Sequence, residues 1–359
     1  MIDLDSLAAH GAAFFAGVAL HIFLFRVGEW DLAATKLLVS FVTLCFASVA
    51  GLVYWLPARY PTYNVAFGTA SGLALYFILG LLLSMLVYRG FFHHLNRFPG
   101  PFVARLSNLY PTMLSAKKFH LYEEVQRLHQ QYGDFVRLGP SELSVIHPGA
   151  VSAIHSPKST CSKGPWYNVL HPMVSLQTIR SKPEHVRRRK VWDPLRDYEP
   201  RVTRYTTQLL ARIEERKGKP MNVTDWFNFY SFDVMGDLAF GKSFGMLEQG
   251  VKHYFMISLH EFMKNIGLFS HMLWLLPIFK ATPILNSESN KFWRWVNAQV
   301  DERRKMKPDR PDVFSWLLED HEACERPSAQ DELNLIGDAY TIAVAGRLVF
   351  TFNTFNSTF

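Results

Sequence analysis

Asn96–Ser107 reads NRFPGPFVARLS. Pro99, Gly100 and Pro101 fall together there, making a stiff, non-helical stretch that continues no helix arriving from either side. The two sides differ in kind. Upstream lie three apolar runs without Asp, Glu, Lys or Arg: Leu7 to Phe25, Leu37 to Leu56 and Val65 to Tyr88. Each reaches the roughly 20 residues that a helix needs to cross a hydrocarbon core. Downstream, charged residues return and the apolar ones recur at helical or strand spacing. The stretch therefore marks a boundary, with residues 1–90 a membrane anchor, 91–104 a hinge, and a soluble domain beyond.

The alternative for the first run is a cleaved signal peptide, but acidic Asp3 and Asp5 stand where a basic segment belongs, which favours a span. Orientation follows from Lys and Arg near the ends of the runs. Arg26 and Lys36 flank the first loop, Arg59 is alone in the second, and Arg89, Arg97, Arg105, Lys117 and Lys118 follow the third. This predicts a lumenal N-terminus and a domain facing the cytosol. Gly68 and Gly72 form a GxxxG that either brings two spans together or is a chance spacing. The 359 residues carry a formal charge of +7, but only 19% are charged and 49% are hydrophobic, which favours a membrane over nucleic acid as partner. Cys45, Cys161 and Cys324 make neither a disulfide framework nor a zinc spacing.

In the soluble part, Leu121, Val125, Leu128 and Tyr132 predict a helix stopped by Gly133, and DFVRLGPSELSVIH predicts two short strands around Gly139 and Pro140. Helix signals dominate afterwards. One apolar stripe covers Val202 to Ile213, and another covers Asn222 to Phe240 with Trp226, Tyr230, Val234 and Leu238 on one side. Leu268 to Phe279, LFSHMLWLLPIF, is too short to span and is either a buried segment or a patch dipping into the bilayer surface. Ser328 and Asp331 predict the capped start of a helix through ELNLIGDAYTIAVAG.

Two motifs invite chemistry. GDLAFGKS, Gly236 to Ser243, satisfies the phosphate-loop pattern by letter. Its context is reversed, with helical periodicity before it instead of a strand, and Asp237 and Phe240 would bring repulsion and bulk into the cradle. In PEHVRRRKVWDPL, His185 and Arg189 are four apart and share a helix face, with Arg188 close by. That pair is either a grip for a carboxylate or phosphate or part of a solvated basic helix. Glu123/Glu124 and Glu214/Glu215 are adjacent in sequence and read as surface, and no HExxH, GxSxG or Cys/His pattern of catalytic type occurs.

The order of FPGP, YGDFVRLGPSELSVIHPGA, SKGPWYNVLHP, KPEHVRRRKVWDPL, FDVMGDLAFGKSFGML and LIGDAYTIAVAG resembles the cytochrome P450 family of haem-thiolate monooxygenases, in the membrane-anchored form of fungal secondary metabolism. The resemblance runs from about residue 98 to 346. Beside the three transmembrane helices read from the apolar runs, it implies a mainly α cytosolic domain with a small β-sheet, an incomplete cytochrome P450 fold. It also implies a haem cofactor whose propionates are held by His185 and Arg189, a histidine standing where the family more often has tryptophan. The implied partners are an NADPH-dependent reductase, the endoplasmic-reticulum membrane and a small apolar metabolite, with no nucleic acid.

The resemblance stops at Gly346. The family's acid/threonine pair is replaced by Arg347, Leu348, Val349 and Phe350, and its glycine-flanked cysteine ligand has no counterpart among Cys45, Cys161 and Cys324. Residues 105–346 thus read as the N-terminal part of the fold and 347–359 as an atypical tail with four Phe, three Thr, two Asn and no helical stripe. The rival expectation is a non-catalytic membrane-anchored remnant, truncated before its iron ligand. A transporter would rest on the three spans alone, with only His10 and His21 ionisable inside them.

Overall fold

The computed structural model describes residues 4, 6–156, 158–192, 199–306 and 312–356. Its elements, in chain order, are α1 (Leu7–Leu20), α2 (Ala34–Trp55), α3 (Tyr63–Val87), α4 (Phe102–Leu106), α5 (Leu109–Lys118), α6 (Leu121–Tyr132), β1 (Phe135–Gly139), β2 (Glu142–Val145), α7 (Gly149–His155) and α8 (Lys182–Arg189). There follow α9 (Glu199–Glu214), α10 (Val223–Phe240), α11 (Met246–Gln249), α12 (Tyr254–Phe269), α13 (Leu275–Ala281), α14 (Ser287–Lys305), α15 (Val313–Glu322) and α16 (Ala329–Asn356). Two compact units result: Met1–Cys161 with Gly267–Pro283, and Ser162–Ile266 with Ile284–Phe359.

In the first unit, three helical stretches are long and apolar enough to cross a membrane. α1 and α3 run side by side in the same direction. The rings of His10 and Tyr76 meet at 4.7 Å, Gly17 lies on the Phe77 carbonyl, Gly80 lies on the Phe14 carbonyl, and His21 is hydrogen-bonded to the Ser84 hydroxyl at 2.8 Å. A Cβ on Gly17 or Gly80 would overlap the opposing backbone. The predicted GxxxG is therefore displaced along the helix. Gly72 faces the His10 ring, but Gly68, one turn earlier in α3, has nothing within 4 Å among the described residues. α2 packs on α3 through Val49, Tyr60, Ala66 and Ala70. An apolar crevice of about 690 Å³ among these helices is lined in part by Cys45.

The Pro/Gly stretch is held along the β-ribbon. The Arg137 N–H donates to the Pro99 carbonyl at 2.7 Å, and Gly100, at φ +150°, lies so close to the Arg137 backbone that a side chain there would clash. β1 and β2 pair antiparallel, Phe135 opposite Val145. The segment Leu268–Phe279 is largely half-buried beside the loop between α1 and α2: α13 touches α2 and the turn Asp31–Ala33, and His271 is hydrogen-bonded to Glu142 at 2.8 Å.

The second unit is organised around α10. The predicted one-sided stripe is a correction here, because the helix is buried on every side from Phe229 to Phe240, enclosed by α9, α11, α14, α15 and α16. Burial all round is tolerated because its polar groups are satisfied. Asp233 accepts from the N–H groups of Met246 and Leu247 at 3.2 and 2.8 Å, and Asp237 pairs with Arg201 at 2.6 Å. GDLAFGKS is the end of this helix: Gly241 closes it at φ +70°, a Cβ on Gly236 would strike the Phe244 ring, and Lys242 is paired with Glu302 at 2.6 Å. No cradle remains for a phosphate. Ser328 and Asp331 cap the start of α16 reciprocally, the hydroxyl donating at 2.7 Å and accepting the Asp331 N–H at 3.2 Å. The backbone of α16 then stays helical past Gly346 to Asn356, although the sequence shows no stripe there. Extending a formed helix needs far less driving force than starting one.

Candidate cofactor site

α8 opens with Pro183 and Glu184 in its first turn and ends with Arg187, Arg188 and Arg189, an order that complements the helix dipole at both ends. The three consecutive arginines have three fates. Arg187 closes a surface pair with Glu184 at 2.7 Å. Arg188 turns inward, donates to the Val174 carbonyl at 2.9 Å and forms a buried ion pair with Asp338 on α16. Arg189 is exposed and, among the described residues, has no ion pair or hydrogen bond. Glu184 and Arg187, like Glu124 and Arg127 at 2.9 Å, are local surface pairs one helical turn apart.

Asp338 is almost wholly buried and also accepts the Leu176 N–H at 2.6 Å. Burial pushes its carboxyl up to about 6, against the pull of Arg188 and the Leu176 N–H. This pair ties α8 to α16 and fixes which face α8 presents. That face carries His185, half-buried, and Arg189 one turn on. Lys163 is close enough to act on His185: burial first, then the charges of Lys163 and Arg189, hold the imidazole below its ordinary value. At neutral pH His185 is thus an uncharged ring with one N–H to donate. The Lys163 ammonium donates to the Gln177 carbonyl at 2.5 Å and stands 5.0 Å from the Tyr167 ring centre, while Arg180 donates to the Lys163 carbonyl at 2.9 Å.

Two cations and one ring N–H make a receptor for carboxylates. This fits the propionate edge of a haem. The cysteines do not fit its iron. Cys161 and Cys324 are exposed, the Cys324 thiol donates to the Asp320 carbonyl at 3.7 Å, and the pocket it borders is only about 60 Å³, far too small for a macrocycle. Cys45 faces the apolar crevice.

The sequence points to His185 and Arg189 by their spacing but gives no weight to Asp338 or Lys163, which the structure brings to the same helix. A signal for Asp338 was present: it is the one carboxylate inside LIGDAYTIAVAG, and a carboxylate in a buried helix must find a cation or hydrogen-bond donors, as Asp233 does with two backbone N–H groups. Lys163 carries no such mark, since its part depends on the fold of the loop before α8.

The cytochrome P450 family model matches residues 99–310. The cytochrome P450 monooxygenase FCK2 of Fusarium pseudograminearum is 49% identical over 94% of this chain and 63% of its own length. The monooxygenase phqL of Penicillium fellutanum is 42% identical over 93% of this chain and 60% of its own. The tryprostatin B 6-hydroxylase of Neosartorya fischeri is 34% identical over 92% and 61% respectively. The chain therefore spans 60–63% of the length of these relatives. The matched region holds the strap at Pro99–Pro101, the β-ribbon, α8 and most of the helical core, and it is haem that proteins with this match carry: the chain belongs to the cytochrome P450 family.

Proposed function

We propose that this chain forms part of a membrane-bound, haem-dependent monooxygenase that oxidises a small apolar secondary metabolite with electrons from an NADPH-dependent reductase. The observation that carries the reading is the Lys163, His185 and Arg189 cluster, presented by a helix that Arg188 and Asp338 hold in place. When bound, haem supplies the activation of dioxygen. The chain's own part is to grip the propionates: Arg189 through its guanidinium, His185 through a ring N–H, with Lys163 adding positive charge. Lys182, Arg187 and Lys190 are exposed around this helix and suit an acidic reductase surface, whereas Arg188 is buried and takes no part in docking. The parallel course of α1 and α3, with α2 between them in sequence, supports an odd number of crossings and a domain on the side opposite the N-terminus, consistent with an anchor in the endoplasmic reticulum.

The test is a haem titration of the detergent-solubilised protein, followed by quenching of tryptophan fluorescence. His185→Ala and Arg189→Ala each weaken uptake roughly tenfold or more, the size of one charge-assisted hydrogen bond. Equal uptake by the wild type and the double variant would refute the assignment. For the activity itself, the product of the native gene in membranes should give a carbon-monoxide difference spectrum and, with reductase and NADPH, a product one oxygen atom heavier.

A further inference from the structure

Four arginines gather where the first and third apolar helices end. Arg26 follows the π-helical turn that continues α1, with its guanidinium carbon 5.7 Å from the Tyr88 ring centre. Arg89 lies in the equivalent turn after α3 and donates to the Leu106 carbonyl at the end of α4 at 3.2 Å. Arg137 on β1 is completely buried, and its guanidinium donates only to neutral acceptors: the carbonyls of Gly139 at 3.2 Å, Pro140 at 2.6 Å and Arg89 at 3.4 Å, and the side-chain oxygen of Asn96. Burial, and then the charges of Arg105 and Arg89, hold Arg137 below its ordinary value. Arg105 on α4 has a buried Nε without a hydrogen-bond partner, and its guanidinium reaches only the Phe102 ring, 6.0 Å away.

Among the described residues none of these four arginines is in an ion pair. Arg137 is buried and Arg89 and Arg105 are half-buried, and cations so placed are costly unless an anion compensates them; Arg26 is exposed and adds its charge at the rim. The acceptors that Arg89 and Arg137 reach are neutral dipoles, and the charges acting on Arg137 are those of Arg105 and Arg89. The apolar runs stop at Phe25 and Tyr88, so the cluster stands where a bilayer's headgroups would lie. Beside it Phe91, Phe92, Phe102 and Val103 are exposed, the rings of Phe91 and Phe102 6.1 Å apart. Uncompensated cations fringed by exposed aromatic rings match a molecule with an anionic head and an apolar tail better than a free anion.

We propose that Arg26, Arg89 and Arg105, backed by Arg137, bind the headgroup phosphate of an anionic phospholipid, with Phe91 and Phe102 against its acyl chains. This rests on α1–α3 lying in a membrane. The site would fix the height and tilt of the strap and β-ribbon at the bilayer surface, since Arg137 lies on the ribbon, donates its N–H to Pro99 of the strap and its guanidinium to the Arg89 carbonyl.

The experiment reconstitutes the full chain into vesicles of phosphatidylcholine with an equal share of phosphatidylserine, extracts it in mild detergent, and counts retained lipids by native mass spectrometry. The wild type retains phosphatidylserine in preference. Arg105→Gln lowers that preference about tenfold, Arg26→Gln does so without disturbing a buried contact, and Arg105→Lys keeps most of it. No preference in the wild type, or an unchanged one in both Gln variants, overturns the site. Displacement of phosphatidylserine by inorganic phosphate also overturns it, in favour of a general anion pocket. Carbonate extraction of the same vesicles separates the two readings: a stripped chain defeats the anchor and the site together, while a retained chain without lipid preference defeats the site alone.

Discussion

The N-terminal helices and the second unit draw on the same apolar residues and place them oppositely. In α1 and the turn after it, Phe15 is 68% and Phe23 82% exposed, while in the second unit Phe232 is 0% and Phe292 1% exposed. The α1–α3 contact is made by Gly17 and Gly80 against backbone, with large side chains facing outward. The second unit instead stacks Phe255 on Phe292 and Trp295 at 5.9 and 4.8 Å. This is the contrast expected if the N-terminal helices lie in a membrane, as proposed: against lipid, an apolar side chain gains little by turning inward, so close approach of backbones decides the contact. Against water, burying it is the main driving force.

The largest effect expected from this contrast is at Phe292. Phe292→Ala removes a ring stacked on both Phe255 and Phe262 and should cost about 3–5 kcal/mol in denaturant unfolding of the solubilised protein. Phe23→Ala should change stability by less than about 0.5 kcal/mol. Equal costs at the two positions would break the comparison.

Next is the buried carboxylate of the second unit. Asp338 is pushed up to about 6 from 3.8, chiefly by burial. Between these values the unfolded chain has released a proton that the folded chain retains, so this group's contribution is fully present below pH 3.8 and is lost as pH rises through about 6. The difference corresponds to about 3 kcal/mol. Unfolding free energy measured between those pH values should fall more steeply for the wild type than for Asp338→Asn. Identical slopes would mean that the Arg188 pair fully offsets the burial.

Gly80 tests the other side of the contrast. Gly80→Ala puts a Cβ against the Phe14 carbonyl and should weaken the α1–α3 contact by about 1–3 kcal/mol. A cysteine pair made by His21→Cys and Ser84→Cys reports it, because those side chains are in contact in the folded helices. Cross-linking yield should drop in the Gly80→Ala background and hold in Gly68→Ala, where the glycine meets nothing.

These residues also show what was legible in sequence. The three apolar runs, the β-ribbon, the Gly133 stop and the Ser328 cap each depend on neighbours within a few positions, and the structure has all of them. Gly17 and Gly80 carry no local mark, because which glycine meets a backbone depends on register between helices 63 positions apart, seen in the His21–Ser84 contact. α10 read as one-sided because periodicity counts apolar letters, while Asp233 and Asp237 are buried by finding distant partners. The His185/Arg189 spacing was readable; the inward turn of Arg188 depends on Asp338, 150 positions away.

The smallest effect tests how helix starts are satisfied in the two regions. α10 begins at Asn222, whose side-chain oxygen accepts the Asp225 N–H at 3.3 Å; α3 begins at Thr62, which makes no side-chain cap. An uncapped start is tolerable where water or lipid headgroups reach the free N–H groups, and costly where the helix leads directly into a closed core. Asn222→Ala should therefore destabilise the second unit by about 1 kcal/mol, read as a lower denaturant midpoint at unchanged slope. Thr62→Ala should leave the α1–α3 cross-link yield unaltered. A loss at Thr62 equal to that at Asn222 would show that neither solvent nor headgroups reach the start of α3.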